Sequence, residues 1–449
     1  MTGRVLLGAA VVLGAWGCCK HEPSALQQPS EMPASAEPAP SAGPPRCAQI
    51  GKEVIVGDNA ARNDDEQELL PFATEIGRGV AHEEGFAIGA LTRDGKGTAS
   101  VVAMVSADGE KSRLVRLAAS HGDAEPPHVF SAGKAVGAAV LEPAGARRSL
   151  RLARVDGPAA AWGAELEQGN DESLAFDVIA GGARGVVAWD DLPKDREVSG
   201  IHLSTFEMPS MSNATQPRVV TLPGTDADSP RLVPRTGGYW LFWVARKPES
   251  DLATLPVQPN AAGKEPSDPP RYRAEELANK WIEVVPIDER GVLQGSPRRI
   301  GSERGHVLVY DVAEGRDGAA IVMWRDDDTP SGSIGGKLMR ALVRMGGVDG
   351  PDVIDGEALG TGAPNLMPGW LAIADAATPT RIVPLGPDGA FLDRVASEPL
   401  LGNGEPVAAR GDTLLLARPS GLAVRLQVGK CSREIRDAGA PDVAAEERP

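Results

Sequence analysis

The feature that most restricts this chain is a unit recurring about every fifty residues: a tight turn, usually with Gly, followed at once by a short apolar or aromatic run. Seven segments carry it, at residues 85–91, 134–140, 185–189, 238–244, 318–324, 369–374 and 411–417. From turn to turn most steps are roughly 42 to 53 residues, and the one long step contains an insertion. Such runs have strand length rather than helix length, and 53 Gly and 38 Pro punctuate the chain at short intervals. The expected fold class is all-β.

A second feature follows most of these turns about 20 to 30 residues later: an alternating strand running into a Gly-containing turn. Asp108-Gly109, Asp156-Gly157 and Asp388-Gly389 mark three of them. Asp-Gly reaches the positive φ that tight hairpin turns require, so each unit reads as a hairpin, a longer loop and a second hairpin. Four short strands make a small sheet with two faces to cover, and packing such sheets face to face about a common axis covers both. The uninterrupted apolar second strand fits, because a strand buried on both faces has no polar side to alternate. A single β-propeller is expected, with seven four-stranded blades. Six or eight remain open, since the first and last units are degenerate and the second lacks its turn Gly in register.

The amino end reads separately. Arg4 and the terminal amine precede an apolar run at residues 5–16, then Gly17 and Cys18. A run of that length is short of the roughly 20 apolar residues that span a membrane, and it reads as a signal segment over residues 1–17. The stretch Leu13-Gly14-Ala15-Trp16-Gly17-Cys18 resembles the lipobox of bacterial lipoproteins. That resemblance implies lipidation of Cys18, which becomes the mature first residue; Cys19 is the second candidate, and plain secretion or an uncleaved anchor are the alternatives. Residues 18–46 are rich in Pro, Ala, Ser, Glu and Gln, a mixture that buries too little apolar surface to offset its ordering entropy. They are expected to be a disordered tether holding the domain off a membrane surface. The expected location is the outer membrane of a Gram-negative-type cell envelope.

The other two cysteines, Cys47 and Cys431, bracket the folded part. An exported compartment permits a disulfide, and the two are expected to pair rather than remain free buried thiols. In a chain-entropy treatment, closing so long a loop stabilises by roughly 5 kcal/mol. Glu53-Val54-Ile55-Val56 is expected to add an outer strand to the last blade beside residues 422–428, so that the two chain ends meet at one seam. The propeller then spans 47–431, with a Pro-rich and charged insertion at about 247–278 and a disordered tail at 432–449.

Two segments carry a further pattern: Val187-Ala188-Trp189-Asp190-Asp191 before Gly200-Ile201-His202-Leu203, and Val322-Met323-Trp324-Arg325-Asp326-Asp327 before Gly336-Lys337-Leu338. An apolar strand, Trp followed by Asp, then a second strand resembles the loose repeat of propellers in bacterial exported proteins. The resemblance covers residues of roughly 75 to 430 and implies a fold, not an activity. Sialidase-type Asp boxes, regular WD40 pairings and integrin-type calcium loops are absent from the sequence, and the kelch-like Gly237-Gly238-Tyr239-Trp240 occurs once.

Chemistry is sparsely marked. A net charge of −16 without a long Lys/Arg cluster argues against nucleic acid and against anionic ligands. The six histidines form no close ligand pair, and Ser333 sits in a sequence that misses the first Gly of a nucleophile elbow. Gly360-Thr361-Gly362 is too short for a dinucleotide fingerprint, and no cofactor is implied. Asp326, Asp327 and Asp328, with Asp190 and Asp191 at the matching place of another blade, are weak calcium candidates, as is Asn63-Asp64-Asp65-Glu66. The competing reading, that these Asp residues cap turns, is the stronger. Trp189, Trp240, Trp243, Trp324 and Trp370 fall in the second strands and are expected to form inter-blade core.

The leading expectation is a non-catalytic scaffold that presents a rim or channel to an envelope protein or extracellular ligand. The alternative is an envelope enzyme, a glycan or peptide hydrolase or lyase, with carboxylates gathered at one funnel about 5 to 10 Å apart.

Overall fold

The structure is a computed structural model that describes residues 46–57, 75–94, 97–120, 125–144, 147–167, 175–192, 198–246, 279–302, 305–326, 336–354, 362–375, 378–392, 404–420 and 423–432. Seven antiparallel sheets follow one another along the chain as the blades of a propeller. Blade 1 comprises Glu75–His82, Gly85–Asp94, Gly97–Ser106 and Ser112–Ser120. Blade 2 comprises His128–Ala132, Ala135–Ala144, Arg147–Arg154 and Ala161–Glu167. Phe176–Gly181, Arg184–Asp191, Gly200–Glu207 and Arg218–Val219 form blade 3. Blade 4 takes Asp226–Arg235, Gly238–Arg246, Lys280–Asp288 and Arg298–Ile300. Val307–Glu314, Ala320–Asp326, Lys337–Arg344 and Gly347–Ile354 form blade 5.

Blade 6 has three strands among the described residues, Ala363–Met367, Trp370–Asp375 and Thr378–Pro384, with a single further bridge from Leu385 to Phe391. Blade 7 takes Glu405–Arg410, Thr413–Ser420 and Ala423–Ser432, and its outermost strand is Arg46–Gly57 from the other end of the chain. Val54 pairs with Leu426 and Val56 with Val424, as the apolar pattern of residues 53–56 led one to expect. Cys47 and Cys431 stand opposite each other and form a disulfide.

All seven recurrent turns lead into second strands. In blade 2 the turn glycine is Gly133, one residue ahead of the expected register, and its φ of +62° is the left-handed conformation that such a turn needs. Second strands are covered on both sides, and their alternate residues enter different cores. Trp240, Phe242 and Val244 pack against blade 5, whereas Tyr239, Leu241, Trp243 and Ala245 pack against blade 3. Each of the seven apolar clusters in the described residues joins two neighbouring blades, the last joining blade 7 to blade 1. All five tryptophans of the second strands are buried. Two of them add a polar link: Trp240 Nε1 donates to the carbonyl of Gly318 and Trp370 Nε1 to that of Gly411, each in the next blade at 2.8 Å.

The connections sort by face. Turns from first to second strand, and links from third to fourth, lie at one end of every blade, here the tight-turn face. The opposite strand ends, among them Arg246 and Lys280, lie on the other face. The insertion at 247–278 and the tail from 433 lie outside the described residues.

Blades 1 and 2 come close at Gly89, where a Cβ would run into the carbonyl oxygen of Pro127. Backbone cannot yield as a flexible side chain can, so Gly89→Ala is expected to lower stability by about 1–3 kcal/mol. A urea titration checks this, and an unchanged midpoint would mean that the two blades separate freely there.

Candidate functional site

The innermost strands bring polar side chains to the central channel. Several of these strands carry β-bulges, between Ile76 and Gly79, Asp228 and Arg231, Val307 and Val309, and Pro406 and Ala408. A bulge adds a residue to one strand and re-aims its side chains. Arg78 lies within the first bulge and Arg231 closes the second.

Arg78 Nη2 contacts both oxygens of Asp311, at 2.9 and 3.0 Å. Arg78 belongs to blade 1 and Asp311 to blade 5, which are not neighbours in the ring, so this ion pair spans the channel. Arg231 of blade 4 stands 4.0 Å from the same carboxylate through its Nε. Asp311 is 7% exposed, and its Oδ2 also accepts the amide hydrogen of Leu366 in blade 6 at 2.6 Å. One carboxylate thus connects blades 1, 5 and 6 and faces blade 4.

Asp177 of blade 3 repeats the backbone part of this arrangement. Its Oδ2 accepts from Leu232 N of blade 4 at 2.8 Å. Asp177 and Asp311 stand in matching sequences, Phe176-Asp177-Val178 and Tyr310-Asp311-Val312, and each reaches an amide 55 residues further on. Tyr310 donates its hydroxyl to Ser229 O at 2.6 Å, and Asn365 Nδ2 donates to Pro406 O at 2.9 Å. The ring of inner strands is therefore pinned blade to blade by side chains that hold neighbouring backbone.

Electrostatics follow from this enclosure. Burial opposes the charge of Arg78, but the carboxylates of Asp311 and Asp177 outweigh it and raise its pKa above the ordinary arginine value. Burial, with Arg231 and Arg78 nearby, holds the imidazole of His128 down to about 3, and its ring stacks on Phe176 with centroids 4.2 Å apart. Burial also pushes the Tyr310 phenol well above its usual range, with Arg231 pulling the other way. Asp228 is raised by burial against the pull of Arg246, which lies 3.3 Å away. A proton-transfer group works best with a pKa near the operating pH, and both His128 and Tyr310 are driven away from neutrality.

The residues singled out in the sequence fall elsewhere. Asp190 Oδ1 accepts from Ala175 N at 2.8 Å and its Oδ2 from Ser229 N at 3.0 Å, while Asp326 Oδ1 accepts from His306 N at 2.8 Å. In both blades an Asp at the far end of the second strand caps the approach to the first strand. Asp327, Asp328, Ser333, the loop at 63–66, Cys18 and Cys19 lie outside the described residues. Among the described residues no group of three or more His, Cys, Asp or Glu is placed to hold a metal ion. Exposed large apolar side chains are spread over several blades, among them Leu114, Leu222, Val292, Met345 and Leu392. Arg78, His128, Asp177, Arg231, Tyr310 and Asp311 were not anticipated; the repeated aromatic-Asp-Val in two first strands was the signal available.

No protein-family model matches the chain, and no curated protein matches it. Solved structures do resemble it. Polysaccharide lyase Uly1 superposes with a TM-score of 0.50 at 8% identity, covering 85% of this chain and 100% of that one. The β-propeller domain of the Trilobed protease from Pyrococcus furiosus, a domain with open velcro topology, gives 0.47 at 11% identity, covering 82% and 99%. The GH93 α-L-arabinofuranosidase of Fusarium graminearum gives 0.41 at 9% identity, covering 86% and 98%. At such identities the likeness concerns the fold. The chain is a seven-bladed β-propeller whose terminal strands pair in one sheet.

Two outcomes are expected at the ring. Asp311→Ala leaves two guanidinium groups without their carboxylate; because the Arg78 side chain is 36% exposed and partly screened, the loss should be about 2–4 kcal/mol. Pairing it with Arg78→Leu in a double-mutant cycle should show a smaller combined loss than the sum, and simple additivity would contradict the bridge. His128 has an ordinary value of 6.5 and stands at about 3 in the fold, so below 6.5 the unfolded chain binds the extra proton. Stability should be full above pH 6.5 and decline as the pH falls towards 3. His128→Gln should flatten that decline in urea titrations run across the window.

Proposed function

We propose that this chain is an envelope-anchored lipoprotein whose propeller is a non-catalytic scaffold for a protein or an extracellular ligand. The observation that carries the scaffold reading is the engagement of the channel carboxylates. Asp311 is occupied by Arg78 and Leu366, and Asp177 by Leu232, so neither is free to act as nucleophile or acid. Glycosidic hydrolysis commonly uses two carboxyl groups with room for substrate between them, whereas here the carboxylates of Asp311 and Asp177 hold arginine and backbone.

The anchor rests on the lipobox-like stretch before Cys18 and on the Pro-rich residues that follow, and the Cys47–Cys431 disulfide agrees with an oxidising compartment. Among the described residues no helix is long and apolar enough to cross a membrane. Cys431 N donates to Asp412 O at 2.7 Å, which puts the disulfide at the tight-turn face. The opposite face, with the strand ends at Asp191, Arg246 and Lys280, is the one we assign to partners.

The second reading, an enzyme acting on glycans or peptides, draws on the presence of two carboxylates, an imidazole and a phenol on the walls of one channel. A panel of neutral and acidic polysaccharides and of peptides separates the readings. The purified full chain is expected to turn over none of them, and turnover that disappears in both Asp311→Asn and His128→Gln would reverse the ranking. Mass spectrometry of the amino-terminal peptide should find lipid on the wild type and on Cys19→Ala but not on Cys18→Ala. Photo-crosslinkers placed in whole cells at Leu192, exposed at the end of a second strand, should capture a discrete partner, and those at Asp412 should not.

A further inference from the structure

The outermost strand of blade 7 does more than complete a sheet. Arg46–Gly57 pairs with Ala423–Ser432, and its bulge between Ile50 and Val54 leans onto blade 1. There Lys52 N donates to Gly109 O at 3.0 Å, Lys52 Nζ lies 3.3 Å from Glu110, and Gly51 sits so close to the Asp108-Gly109 turn that a Cβ would collide with it. On the other side Glu53 accepts hydrogen bonds from Arg425 at 2.5 Å and Gln427 at 2.9 Å. Val54 and Val56 share one apolar cluster with Phe86 and Ile88 of blade 1 and Leu426 and Val428 of blade 7. This single strand therefore grips both blades at the seam.

It is also the strand that any pull on the amino end reaches first. An antiparallel edge strand drawn from its end comes away one pair at a time, because each hydrogen-bonded pair meets the force alone. Among the described residues, Arg46 and Ser432 are the one pair that precedes Cys47 and Cys431 in the register. From the disulfide the force passes into Ala423–Ser432, which is hydrogen-bonded on both sides, to Arg46–Gly57 and to Thr413–Ser420. Cys431 is additionally held through its amide by Asp412 O.

We infer that the Cys47–Cys431 disulfide is a mechanical clasp, which stops tension on the amino-terminal tether from unzipping the closing strand and opening the ring at the seam. The biological source of that tension rests on the membrane-tether reading; the clasp itself does not. Its position at the pulled end sets it apart from a cross-link that acts only on the unfolded chain, for which any bridge closing the same loop would serve.

Optical-trap pulling of the full chain, held at its amino end and at a peptide handle inserted within residues 247–278, tests this. The oxidised protein should show no early step before a blade unfolds. With dithiothreitol in the trap, or in Cys47→Ala/Cys431→Ala, an early low-force step should release the 12 residues of the closing strand, about 40 Å of contour length. Should the double variant fail to fold, protein folded oxidised and reduced in the trap provides the same comparison. Oxidised and reduced chains with the same first step at the same force would overturn the clasp, whatever Cys18 carries. A retained difference between them, in a protein whose Cys18 bears no lipid, would support the clasp and remove the membrane tether.

Discussion

Every second strand in this protein is apolar on both faces, and neither face can be left in water. Tyr239, Trp240, Leu241, Phe242, Trp243 and Val244 show the constraint most plainly, since consecutive residues enter different cores. A two-layer sandwich would satisfy one face of such a strand, but a closed ring satisfies both for every blade at once. The ring has no free blade face only if its last sheet meets its first, so closure is a requirement of the burial pattern.

Closure places two demands on the molecule. At the periphery the chain ends must be joined, and Arg46–Gly57 does this by pairing with the final strand while touching blade 1. At the axis, seven inner strands converge with backbone groups that have no further sheet partner. Asp177, Asp311 and Asn365 answer part of that need by reaching the inner strand of the next blade. The Arg78–Asp311 pair then ties opposite sides of the ring together. The charged centre and the disulfide seam are thus two consequences of one geometry.

Much of the fold was legible in the residues. The seven turn-led apolar runs located the seven second strands, the alternating Val54 and Val56 marked the closing strand, and Cys47 with Cys431 indicated the seam. The channel residues were harder. Arg78 is an isolated charge between two glycines, and nothing in its neighbourhood points to a partner 233 residues away. The aromatic-Asp-Val repeat around Asp177 and Asp311 was present in the chain, but a two-member pattern acquires meaning only when both carboxylates are seen on inner strands.

What the sequence determined by itself was local and periodic: strand length, turn position, which faces are apolar, and the cysteines that bracket the body. These are set by side-chain volume, backbone freedom and hydrophobicity, which act between near neighbours. What only the tertiary structure decided was which distant residues share the axis. Arg78, Asp177, Arg231 and Asp311 come from four blades, and their mutual charge, burial and hydrogen bonding arise from the closing of the ring, which brings inner strands to within contact distance irrespective of their separation along the chain.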